Sequence, residues 1–211
     1  MTKKLKLSVK VLLTIGLITL LISSGMVMGE TKDFEPIVVT EHGFEDSDDF
    51  GWVSRGGCGS VYATDADART GEGCLTIDDR VLDWHMARVE LTSYMKKGAK
   101  YAYELYVKLP EGVESAPFSL NMLTRVGSDD TEVTVDEAMA SSAEWTRLSG
   151  EYILEPTTTG VYLYVYFRGD PNASYYVDDF KLVQLSPGVD ADSISELKME
   201  YSFEGATEGW G

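Results

Sequence analysis

The stretch VYLYVYFRGD, residues 161–170, restricts the fold more than any other part of this 211-residue chain. Val161, Leu163, Val165 and Phe167 recur at every second position, with Tyr162, Tyr164, Tyr166 and Arg168 between them. A helix would scatter both sets around its circumference, whereas a strand sorts them onto opposite faces. The aliphatic face then needs a second layer to cover it. Short runs rich in Val, Thr, Tyr and Leu alternate with Gly, Pro, Asp and Ser clusters from about Glu35 to Leu185, and no stretch sustains a helical period over three turns. Strands are expected near 36–41, 58–64, 73–79, 86–92, 100–109, 117–126, 131–137, 145–154, 161–168 and 175–184. That density of short strands predicts an all-β fold of two packed antiparallel sheets, a sandwich or jelly roll.

The first 29 residues read as a secretory signal peptide. Lys3, Lys4, Lys6 and Lys10 precede the uncharged run VLLTIGLITLLI, which ends in the small residues SSGMVMG, with Gly29 a plausible last residue. A dozen apolar residues fall short of the roughly 20 that span a bilayer. The expected product is secreted and extracellular, with no membrane partner once the signal is cleaved. Cleavage removes four of the 18 basic residues and none of the 35 acidic ones, moving the net charge from −17 to −21. Phosphate backbones are bound by Lys and Arg, so no nucleic acid partner is expected. Neutral ligands suit such a chain better. Cys58 and Cys74 flank a hairpin-like stretch, DADARTGEG, and could form a disulfide or remain free thiols.

The outward face of residues 161–168 carries three tyrosines and an arginine, a surface that solvent ordinarily discourages. Sugar rings suit it, because their C–H faces pack on aromatic rings while their hydroxyls pair with Tyr O–H and Arg N–H groups. Tyrosine is also simply a favoured strand residue. The run YAYELYVKL shows an ordinary alternative: its second face reads Ala102, Glu104, Tyr106 and Lys108. Trp84 in LDWHMARVEL stands just before a strand, where a loop-borne ring could clamp a ligand, and Trp145 is assigned to the core.

The succession GFEDSDDFGWVSRGG, ARTGEGCLTI, LDWHMARVELTSYMKKGAKYAYELYVKL, AEWTRLSGEYIL and YYVDDFKLV resembles the family 22 carbohydrate-binding modules, within the wider group of families 4, 9 and 22. The resemblance covers roughly 42–185. It implies a jelly-roll sandwich, a cleft on one sheet for xylan or mixed-linkage β-glucan, and a structural calcium ion (Ca2+) away from that cleft. Carried over, the family's cleft arginine matches Arg55 and its loop tryptophan Trp84. Its tyrosine and glutamate, two residues apart on a late strand, fall on Tyr164 and Tyr166, or on Tyr166 and Arg168. Neither placement supplies the glutamate, and a second expected tyrosine meets Thr124 or Arg125. The metal is implied at Glu45 and Asp178, hard oxygen ligands near the two ends of the domain.

A small β-sandwich glycosidase would need two carboxylates facing a cleft about 5–5.5 Å apart for a retaining reaction. The acids crowd instead into turns such as EDSDD, DADAR and GSDD, where solvation explains them. A serine-histidine site is poorly served by two histidines and no Gly-x-Ser-x-Gly motif. A cell-surface adhesion or scaffold module on the same sandwich is the remaining alternative. The tail YSFEGATEGWG repeats the start of HGFEDSDDFGW, so the expected order is signal 1–29, module 30–185, linker 186–199 and the beginning of a second module at 200–211. A covalently linked catalytic domain, such as an endo-xylanase, is expected beyond it.

Overall fold

The computed structural model describes residues 34–57 and 59–189. The signal segment, most of the linker, the 200–211 copy and Cys58 lie outside the described residues. Eleven strands follow in chain order: β1 (Ile37–His42), β2 (Val53–Ser54), β3 (Ser60–Thr64), β4 (Cys74–Asp78), β5 (Ala87–Glu90), β6 (Lys100–Lys108), β7 (Ala116–Val126), β8 (Asp129–Ala140), β9 (Thr146–Ile153), β10 (Gly160–Phe167) and β11 (Tyr175–Gln184). All ten expected strands are present, and only the two-residue β2 was not anticipated. No α-helix occurs among the described residues. Every pairing is antiparallel.

One sheet runs β3-β4-β11-β6-β9, with β1 also pairing β11, and the other runs β2-β5-β10-β7-β8. The alternation read in the sequence decides what lies between them. Val161, Leu163, Val165 and Phe167 of β10 are at most 1% exposed and meet Tyr101, Tyr103, Leu105 and Val107 of β6 in one apolar core. In β11 the inward parity changes partway. Tyr175 and Val177 point in, then Phe180 and Leu182 do, because the register with β6 shifts between Asp178 and Lys181. Asp179 takes a left-handed φ of 49° there, inserting the extra residue of a bulge.

The hairpin around DADARTGEG forms, with Thr64 opposite Cys74. Cys74 is a buried free thiol, and burial pushes its pKa up. Trp145 corrects the expectation of a core residue. It precedes β9 at the edge of the first sheet, only half-buried, with the Lys108 ammonium 6.0 Å from its ring. Among the described residues the buried tryptophan of the core is Trp52, edge-on to Phe44 and Phe180.

Candidate functional site

With its aliphatic side spent on the core, β10 turns Tyr162, Tyr164 and Tyr166 to the outside of the second sheet. Their neighbours follow from register. Tyr164 lies between Arg88 of β5 and Asn121 of β7, Tyr162 between Glu90 and Leu123, and Tyr166 beside Ser119. One strand further, Leu123 faces Glu132 of β8 and Arg125 faces Asp130. Tyr164 packs with Met86 and Leu123 in a small cluster, with Tyr162 and Tyr166 against it. Tyr164 is therefore only 4% exposed, a floor rather than a projecting ring.

The turn at Arg55–Gly57 delivers Arg55 to this face. Its guanidinium lies 4.9 Å from the Tyr164 ring centre and donates to the Tyr166 phenol oxygen. Tyr166 in turn donates to Glu132 Oε1, which also accepts from Asn121 Nδ2 at 3.0 Å, and Glu132 Oε2 stands 3.6 Å from Arg55 Nη1. Burial, and next the bond to Glu132, push the Tyr166 phenol up to about 12. Ser119 Oγ and Asn121 Oδ1 are buried on the same floor and have no hydrogen-bond partner among the described residues. A bound hydroxyl or a water would satisfy them.

Trp84 stands at the rim, 44% exposed. Its indole rests on the backbone of Gly56, where an added methyl carbon would lie 2.2 Å from Cζ3. The loop that carries it is held from beneath by Arg80, whose guanidinium is buried with no carboxylate partner among the described residues. Its nitrogens donate to the carbonyls of His85 at 2.7 Å, Ala173 at 3.0 Å and Phe167 at 3.1 Å, and it lies over the Phe167 and Tyr175 rings. Arg168 follows β10 and reaches back to the Tyr166 ring at 5.6 Å.

The structure thus gathers Arg55, Trp84, Tyr164, Tyr166 and Arg168 on one face. Sequence reasoning missed Glu132, which supplies from β8 the carboxylate sought on β10, and Arg80, an ordinary surface residue by type. The missing second tyrosine is replaced by Arg125 beside Tyr162, while Thr124 opposes Val161 and is buried. A groove of about 330 Å³ on the outer face of the other sheet is floored by Ala102, Ser149 and Gly150. No exposed ring lines it, and its charges are already paired, Arg147 to Glu104 and Lys181 to Glu41.

Glu45 and Asp178 meet away from this face, on the loop 69–72. Asp178 Oδ2 accepts from the backbone of Arg69 at 2.7 Å and of Thr70 at 3.3 Å, while Glu45 Oε2 accepts from Glu72 at 2.9 Å. Neighbouring Asp179 takes the Arg69 guanidinium and the Thr70 hydroxyl. Asp178 is fully buried with no cation of its own among the described residues, and burial pushes its carboxyl up to about 6 against the pull of those N–H groups. Among the described residues no three or more His, Cys, Asp or Glu side chains form a preset metal cage.

The sequence profile of a family described as carbohydrate binding domain matches residues 37–174. Endo-1,4-β-xylanase A of Thermotoga neapolitana is 29% identical over 177 residues, 82% of this chain and 16% of that protein. Exoglucanase XynX of Acetivibrio thermocellus is 26% identical over 155 residues, 71% of this chain and 14% of that protein. The chain therefore spans about a sixth of the length of such relatives. Among solved structures, the CBM22-1 xylan-binding domain of Paenibacillus barcinonensis Xyn10C superposes with a TM-score of 0.67 at 26% identity, over 72% of this chain and 97% of that domain. The CBM22-1 and GH10 modules of Clostridium thermocellum xylanase 10B, solved with xylohexaose, share the fold at a TM-score of 0.64 and 20% identity, over 73% and 30%.

Proposed function

The chain belongs to the carbohydrate-binding domain family, and from that premise we propose that its tyrosine face binds a plant cell-wall polysaccharide, xylan or mixed-linkage β-glucan, without cleaving it. The observation that carries this is the convergence of Trp84, Tyr164, Tyr166 and Arg55 with the unpartnered Ser119 and Asn121 oxygens on one sheet. Aromatic carbon takes the sugar's C–H faces, and the polar floor takes its hydroxyls. Glu132 replaces the carboxylate expected on β10 and holds Tyr166 and Arg55 in place before any ligand arrives, so little ordering is left for binding to do. That same carboxylate is tied to three partners, a role in positioning and not in attack.

In this reading the module is exported and delivers a covalently attached hydrolase to its substrate. The relatives named xylanase and exoglucanase support the attachment, since the matched segment is a small part of each. Calcium is the proposed structural cofactor. Glu45, Asp178 and Asp179 offer hard oxygens beside the backbone of loop 69–72, and buried Asp178 lacks a counter-charge there. When bound, the ion would neutralise Glu45 and Asp178 and pin the turn after β1 and strand β11 to one loop.

Electrophoresis through native gels containing soluble xylan or β-glucan tests the binding. Retardation that Trp84→Ala abolishes supports it. Unchanged mobility on every polysaccharide sinks it, and release of reducing sugar would replace it with the glycosidase reading.

A further inference from the structure

Four of the chain's seven arginines lie on the tyrosine face. Arg55 covers Tyr164 at 4.9 Å, Arg88 and Arg125 flank Tyr162 at 5.4 and 5.5 Å, and Arg168 reaches Tyr166 at 5.6 Å. The face also holds four carboxylates, Glu90, Asp130, Glu132 and Glu137, by their register opposite Tyr162, Arg125, Leu123 and Ser119. It is therefore balanced in charge, where the whole chain carries 35 acids against 18 bases. Two of the arginines are committed. Arg125 makes a two-pronged pair with Asp130, and Arg55 is bound to Tyr166 and Glu132.

Arg88 and Arg168 differ. Neither has a carboxylate partner among the described residues, and they stand at opposite ends of the row, one over Tyr162 and the other over Tyr166. Three other arginines of this acidic chain, Arg69, Arg125 and Arg147, each pair with an acid. Both stack on tyrosine rings with no described acid to neutralise them, and guanidinium is the side chain that matches a carboxylate in two-pronged geometry.

We infer that the glycan this site selects carries uronic acid groups, whose carboxylates pair with Arg88 and Arg168 while neutral sugar rings lie on the tyrosines and Trp84. The inference rests on the glycan-binding reading and names its substrate class. It also reverses the expectation of neutral ligands drawn from the overall charge. Repulsion from the rest of the acidic surface is screened over about 8 Å at physiological salt, so the local arginines decide at contact.

The test is affinity electrophoresis and calorimetry of the full chain on two matched polymers, a glucuronic-acid-substituted xylan and the same xylan after its carboxyl groups have been reduced to alcohols. The acidic polymer is expected to bind about fivefold tighter, the worth of a partly exposed ion pair. Raised salt narrows that ratio, as does either Arg88→Gln or Arg168→Gln. Equal affinity for the two polymers overturns the inference and leaves the glycan-binding reading intact. Retardation by dextran sulfate as strong as by the acidic xylan also overturns it, as unspecific attraction of polyanions. No retention by any polymer removes both.

Discussion

At the scale of single residues, the site depends on groups that touch no ligand. Gly56 is one. Its φ of 82° and the indole lying on its backbone leave no room for a side chain. Gly56→Ala is expected to push Trp84 off its seat and weaken polysaccharide binding about tenfold while the far-ultraviolet spectrum stays that of the wild type; a shift of tryptophan emission would report the displacement. Arg80 is another. Removing its guanidinium orphans the carbonyls of His85, Ala173 and Phe167, and an unmade buried hydrogen bond costs about 1–3 kcal/mol. Arg80→Leu should therefore lower stability by about 3 kcal/mol in urea titration and loosen the Trp84 loop, detectable as faster hydrogen exchange at 82–86. Glu132→Ala leaves Tyr166 and Arg55 without their shared acceptor. Binding should fall about tenfold by calorimetry, with the loss partly restored in Glu132→Gln, which keeps an acceptor oxygen.

At the scale of elements, β10 separates stability from binding by parity. Leu163 is fully buried, and Leu163→Ala should cost about 3 kcal/mol in chemical denaturation, as cavities in packed cores do. Tyr162 is half-buried on the other side, and Tyr162→Ala should spare stability while weakening retardation in xylan gels. This division was legible in the sequence, because two-residue alternation is the same signal whether read from letters or from burial. The bulge in β11 hid behind the run VDDF, where the inward parity flips at Asp178 and Asp179. Glu132 was hidden for a related reason. Its place beside Tyr166 depends on the register of β8, and that register slips between Leu120 and Asn121 of β7. No pattern within β8 announces such a slip. Trp145 failed differently: type alone favours burial, but its position before an edge strand leaves one side of the ring without a cover.

At the scale of the whole molecule, the first and last strands share one sheet, and the turn after the first meets the last at loop 69–72. If calcium joins Glu45, Asp178 and Asp179 there, a chelator should lower the melting temperature by several degrees and added calcium should restore it. An unchanged melting temperature would remove the ion from the account. The pairing of β1 with β11 has a mechanical consequence as well. Ile37 lies opposite Gln184, so the points at which the described chain enters and leaves this pair are neighbours at the same end of it. Tension applied through both ends would load the ladder one hydrogen bond at a time, peeling β1 away like a zipper and not shearing all its bonds together. In an optical trap β1 should yield first and at low force, down to His42 opposite Phe180, with the next resistance arising where Asp178 and Glu45 grip loop 69–72.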